Sequence, residues 1–164
     1  MKRFIAVIFT VTMILVIAAC SFSGGAERAE TQKSDGGIAA EDGDNNMDKT
    51  LRLFIGDTEV AVEWADNEAV KALKKLVSED ALTVRMSPYG GFEQVGSLGT
   101  SLPRADKQTT TEAGDVVLYS GNQIVIFYGS NTWSYTRLGK ITGKTAEELT
   151  VLLGGSAVTV KISY

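Results

Sequence analysis

Asp115-Val-Val-Leu-Tyr119, Ser120-Gly-Asn122 and Gln123-Ile-Val-Ile-Phe-Tyr128 decide the architecture. Two short runs rich in β-branched and aromatic residues flank a polar turn with a glycine at its centre. That pattern predicts a β-hairpin.

Outward from the hairpin, more short strands follow. Downstream, Trp133 to Ile141 reads as a strand, with Gly139 marking a bend or bulge. Thr145-Ala-Glu-Glu148 is a capping box that opens a helix, and Gly154-Gly155 closes it. Val158, Val160 and Ile162 alternate in a last strand. Upstream, Leu51 to Ile55 reads as a strand, Gly56-Asp57 as a tight turn, and Thr58 to Trp64 as the returning strand with period two. Asp66 is the predicted N-cap of a helix whose apolar face carries Ala69, Val70, Leu73, Leu76 and Val77. Leu82 to Met86 is a short strand. Ser87 to Gln108 holds both prolines and Gly90, Gly91, Gly96 and Gly99, and reads as one long irregular stretch, either functional or packed. Many short strands with two helices predict a mainly β fold, a barrel or sandwich closed by helices.

This predicted domain spans residues 49–164, the end of a 164-residue chain. Ahead of it, Lys2 and Arg3 precede the apolar run Phe4 to Ala19. Sixteen residues of helix rise about 24 Å, short of a hydrocarbon core of about 30 Å. A charged start, a short apolar core and small residues at its end match a secretory signal over residues 1–19. The run stops at Ile17-Ala-Ala-Cys20, which resembles the bacterial lipobox. The resemblance implies cleavage before Cys20, lipid on its sulfur and on its new amine, and attachment to the cell membrane on the extracytoplasmic face, or to an outer membrane where the source has one. Ser21 to Asp48 then carries Glu27, Glu30, Asp35, Glu41, Asp42, Asp44 and Asp48 against Arg28 and Lys33, with few large apolar groups. Such a segment cannot bury enough surface to offset ordering, so residues 20–48 are expected to be a lipidated cysteine and an acidic tether.

The counts exclude several chemistries. The chain has no histidine and one cysteine, Cys20. It therefore has no Ser-His-Asp or Cys-His relay, no imidazole or thiolate zinc cluster and no intrachain disulfide. A net charge of −4 argues against a general nucleic-acid binder. Asp106, Glu112 and Asp115 match no calcium-loop spacing, and the glycine-rich segments lack the lysine of a phosphate loop. No metal and no cofactor is expected.

Tyr89-Gly-Gly-Phe-Glu93, Ser101-Leu-Pro103, Gly114-Asp-Val-Val-Leu-Tyr119, Gln123-Ile-Val-Ile-Phe-Tyr-Gly129 and Asn131-Thr-Trp-Ser-Tyr-Thr-Arg-Leu-Gly139 form an ordered series. Together they resemble the bacterial cyclophilin-like domain family, over roughly Leu51 to Tyr164. The resemblance implies a closed β-barrel with a helix at each end. Domains of this family also occur joined to flavodoxin-like domains, which implies a flavodoxin-like redox partner. True cyclophilins isomerise X-Pro bonds with a guanidinium beside an apolar pocket and a histidine in its wall. Their arginine–phenylalanine and Gln-Gly-Gly-Asp pattern is missing here, so no residue is assigned as catalytic.

Two clusters are the candidate pocket. Tyr89, Phe92 and Glu93 lie in the glycine-rich stretch and either wall a pocket with one carboxylate or pack a structural loop. Tyr128, Trp133, Tyr135 and Arg137 form the second. Tyr135 and Arg137 share one strand face, with Trp133 in register if the strand begins that early. Aromatics beside arginine suit a planar or anionic ligand, or a core in which Arg137 pairs with Glu93 or Asp115. The expected function is a membrane-anchored, non-catalytic module for a peptide, protein or small-molecule ligand. The alternative is a peptidyl-prolyl isomerase acting on exported proteins.

Overall fold

The computed structural model describes residues 50–164; the apolar leader, Cys20 and the acidic tether lie outside the described residues. Nine strands and two helices follow in chain order: β1 (Arg52–Ile55), β2 (Thr58–Trp64), α1 (Glu68–Leu76), β3 (Leu82–Tyr89), β4 (Glu93–Ser97), β5 (Lys107–Thr110), β6 (Asp115–Tyr119), β7 (Gln123–Phe127), β8 (Thr132–Thr142), α2 (Ala146–Leu153) and β9 (Val158–Ser163). Eight strands close a ring, β1–β2–β8–β6–β7–β4–β3–β9 and back to β1, with every neighbouring pair antiparallel. Closure leaves no edge in the ring, so its backbone groups satisfy one another around the circle. β5 stands outside it and pairs with the N-terminal part of β8, Lys107 opposite Tyr135 and Thr110 opposite Thr132.

The central hairpin forms as its sequence predicts. Tyr119 faces Gln123, and Ser120 and Gly121 turn the chain at φ 52° and 81°. Strand at three places, with β5 starting at Lys107 as one of them, was not legible and corrects the reading of 87–108 as irregular. β3 continues through Ser87 and Pro88 to Tyr89, and Glu93 to Ser97 is a full ring strand. Tyr89 and Glu93 are directly opposite, joined by a tight turn through Gly90 and Gly91 at φ 61° and 77°. A Cβ on Gly90 would meet the Phe92 ring at 2.3 Å, so only glycine fits.

The interior is one apolar cluster. Leu53, Val84, Met86, Val116, Leu118, Ile124, Ile126, Leu138, Val160 and Ile162 fill it from the strands. Ala69, Val70 and Leu73 join it from α1, and Leu149 and Leu153 from α2. Both helices therefore close on the ring's own core, as expected. Asn67 rather than Asp66 caps α1: its Oδ1 accepts from the Val70 N–H at 3.0 Å, while its Nδ2 donates to the Arg137 carbonyl at 2.8 Å. An aspartate could cap but could not make that second bond. The capping box of α2 is complete, with the Thr145 N–H on Glu148 at 2.7 Å and the Glu148 N–H on Thr145 at 3.2 Å. Gln94 points inward, fully buried, and its Nε2 donates to the carbonyls of Leu153 and Ser156 at 2.5 and 2.7 Å. It ties β4 to the end of α2.

Candidate functional site

Alternation gives β4, β7 and β6 a second, outward face. Val117, Val125, Phe127 and Tyr135 form a separate buried cluster there, with Phe92 and Val95 against it. A cavity of about 530 Å³ opens beside that cluster. Glu93 and Val95 line it from β4, Gln123 and Val125 from β7, and Tyr119 from β6. Tyr89 contributes from the end of β3, and Asn131, Trp133 and Tyr135 from the start of β8 and the residue before it.

The long β8 makes this possible. Its C-terminal half closes the ring against β6 and β2, while residues 132–135 run on beyond β6 to meet β5. Thr111 holds the entry: its N–H and hydroxyl donate to the Asn131 carbonyl at 2.8 and 3.0 Å, and its Oγ1 accepts the Asn131 N–H at 3.0 Å. Asn131 in turn donates from Nδ2 to the Tyr135 hydroxyl at 3.1 Å. Tyr135 meets Phe127 edge-on at 5.7 Å and Tyr119 at 6.1 Å between ring centroids. Backbone and rings thus fix this wall.

Glu93 is the charged residue of the lining. It is 5% exposed, and its Oε2 is buried without a hydrogen-bond partner. Burial pushes its carboxyl up to about 7, because the ionised form loses water and gains no donor in exchange. The same burial, together with the charge of Glu93, pushes the Tyr135 hydroxyl up, against the opposing hydrogen bond from Asn131. Tyr89 and Trp133, 67% and 57% exposed, are the outer aromatic surfaces of the cavity.

Of the sequence candidates, Tyr89, Glu93, Trp133 and Tyr135 come together here. The other three lie elsewhere. Phe92 stacks parallel on Phe127 at 6.5 Å and supports the outer cluster from behind. Tyr128 belongs to the interior core, and its N–H, like that of Gly129, donates to the Phe92 carbonyl at 2.9 Å. Arg137 sits opposite Val117, two residues further along β8, and pairs with Asp115 at 3.1 Å. Asp106 is held by Arg104 and Thr136. No group of acidic, cysteine or histidine side chains among the described residues is arranged to hold a metal.

Tyr119, Gln123 and Asn131 were not singled out from the sequence. Tyr119 and Gln123 flank the hairpin turn in register, and they alternate with Val117 and Val125 on the outward face, which is the signal that could have found them.

The domain is thus a closed β-ring whose core takes side chains from two helices, with an aromatic-lined cavity on its outer face, and the comparisons give it a family. The cyclophilin-like family model matches residues 53–163, and the chain belongs to that family. The solution structure of the hypothetical protein AF2241 from Archaeoglobus fulgidus is similar, with a TM-score of 0.50 and 16% identity over 69% of this chain and 92% of that one. That likeness speaks for the fold. No curated protein matches in sequence.

Proposed function

We propose that this protein is a membrane-anchored, extracytoplasmic binding module, held by lipid on Cys20, whose cyclophilin-like domain takes a peptide or small-molecule ligand in the Glu93 cavity without catalysing a reaction. One observation carries the binding role. Glu93 is a buried carboxyl with an unpartnered oxygen, beside a preformed cavity walled by Tyr89, Tyr119, Trp133 and Tyr135. An unsatisfied buried polar atom costs stability, on the order of 1–3 kcal/mol; Gln94 Oε1 is in the same state inside the core, and what sets Glu93 apart is its place in the cavity lining. Concave apolar walls with a few convergent polar groups are the usual form of a ligand site. The lipobox-like Ile17-Ala-Ala-Cys20 supports the anchor. The isomerase alternative draws on family and location, but the charged group at the cavity is a carboxyl and not the guanidinium which that chemistry uses.

The test is a titration of the isotope-labelled full chain with a diverse set of small amines, acids, neutral aromatics and X-Pro peptides, followed by backbone NMR. Shifts should concentrate at Glu93, Tyr119, Asn131, Trp133 and Tyr135. A set that leaves these residues unmoved removes the binding role. Accelerated exchange of the X-Pro peptides would move the protein to the isomerases.

A further inference from the structure

Building on the reading of this cavity as a ligand site, we infer that its ligand presents an alkylammonium group, a protonated amine on an aliphatic stem, seated against Glu93 among the aromatic rings.

The lining carries no basic side chain; its polar groups are Glu93, Gln123, Asn131 and the tyrosine hydroxyls. Glu93 lines the cavity, and no donor of the fold meets its Oε2, an oxygen closed to solvent; an ammonium seated at the carboxyl brings three N–H donors and no acceptor. A charge-assisted bond to a carboxylate is about twice as strong as a neutral one, and the buried setting strengthens it further. Aromatic rings attract a cation over their faces, and four aromatic residues, Tyr89, Tyr119, Trp133 and Tyr135, line the cavity. Val95 and Val125 give an aliphatic stem an apolar surface. An anionic ligand would meet the Glu93 charge with no basic group to offset it. A neutral hydroxyl or amide can donate a single bond to the ionised Glu93 but brings no charge to offset it.

Charge on Glu93 then sets the pH response. The titratable groups that share the cavity lining with it are Tyr89 from β3, Tyr119 from β6 and Tyr135 from β8, of which Tyr135 feels its charge, with Gln123 and Val125 from β7 uncharged. Its carboxyl is pushed up to about 7, so the ammonium site is fully charged only above neutrality.

The experiment uses the full chain in detergent micelles, titrated calorimetrically with n-butylammonium, n-butanol and butyrate. Butylammonium is expected to bind about tenfold more tightly than butanol near pH 8, the scale of one charge-assisted contact. That preference should shrink towards about pH 5, where Glu93 is protonated. Glu93→Gln should abolish the preference while unfolding cooperatively, and the pH profile of the unaltered protein gives the same information should that variant fold poorly. Equal binding of butylammonium and butanol, a preference that survives Glu93→Gln, or one that ignores pH would each overturn the inference. N-acetyl-lysine methylamide against its norleucine counterpart separates sources. Lysine-selective binding assigns the ammonium to a peptide side chain, and binding confined to butylammonium assigns it to a free amine; both sustain the inference. Binding of butanol or butyrate without the ammonium sinks the cation but leaves the ligand site standing. If no probe binds and no lining residue responds to the wider ligand set, both readings fall.

Discussion

Asp115 and Glu93 are both buried carboxylates, 2% and 5% exposed, on β6 and β4 of one ring, and their surroundings differ in every other respect. Asp115 is surrounded by donors. Its Oδ1 meets Arg137 at 3.1 Å and Lys140 at 3.2 Å, and its Oδ2 accepts the Glu112 N–H at 2.9 Å. Those contacts join β8 to the loop ahead of β6, near the bulge where the pairing shifts between Val116 and Val117. Glu93 has the aromatic cavity on one side, Phe127 opposite it on β7, and no donor for Oε2. Burial with partners stabilises a charge, whereas burial without them leaves it dependent on a proton or a ligand. The first carboxylate is tied into the architecture, and the second lines the cavity with no partner for Oε2 inside the fold.

Removing Asp115 should have the largest effect. Asp115→Ala strips Arg137 and Lys140 of their shared counter-ion and leaves the Glu112 N–H without its acceptor. A loss of about 3–4 kcal/mol in denaturant unfolding is expected. A change well under 1 kcal/mol would mean that Arg137, half exposed, needs no partner, and the contrast with Glu93 would disappear.

The contrast also explains how far the sequence could be read. The β6–β7 hairpin was legible because Val116 to Leu118 and Ile124 to Phe127 are apolar on both faces, one towards the interior core and one towards the outer cluster. β4 was not, because Glu93, Gln94 and Gly96 occupy its buried positions. No hydrophobic period shows through a carboxyl, an amide and a glycine. Gly96 is packed so closely on Val84 and Met86 that a Cβ would lie 2.5 Å from the first. The feature that hid the strand also builds the cavity: Glu93 lines it, and Gln94 anchors the strand to α2. Strand alternation placed Tyr135 and Arg137 on one face correctly, but it says nothing about distance along the strand. Tyr135 packs against Tyr119 at the turn end of β6, whereas Arg137 lies nearer the opposite end and reaches Asp115.

A smaller effect should appear in the pH dependence of stability. The folded-state value for Glu93 is raised to about 7 from 4.5. The folded form therefore holds its proton more tightly than the unfolded chain does. That contribution is complete below about 4.5 and is lost as the pH rises through about 7, by at most about 3 kcal/mol. Glu93→Gln carries no titrating proton, so urea unfolding of this variant should lose less stability between pH 5 and pH 8, at about those two values. Parallel profiles for the two proteins would show that Glu93 is solvated or paired, and that the two carboxylates are alike.

The smallest change in stability belongs to the cavity's outer surface. Tyr89 and Trp133 are largely exposed, while Phe127, a member of the outer cluster, is fully buried. Truncating an exposed ring removes little buried area, so Tyr89→Ala and Trp133→Ala should each shift unfolding by no more than about 0.5 kcal/mol. Yet exposed aromatic surface is poorly explained by folding when it borders a cavity whose one carboxyl lacks a partner. Its contribution should instead appear in binding, as a several-fold loss of affinity for the ligand that perturbs Glu93, measured on the same samples. Stability and affinity would then separate at the rim just as they separate between Asp115 and Glu93. If either truncation destabilises the protein by 2 kcal/mol or more, roughly the cost of emptying a core position, the rings are packing elements and the cavity is a gap beneath them.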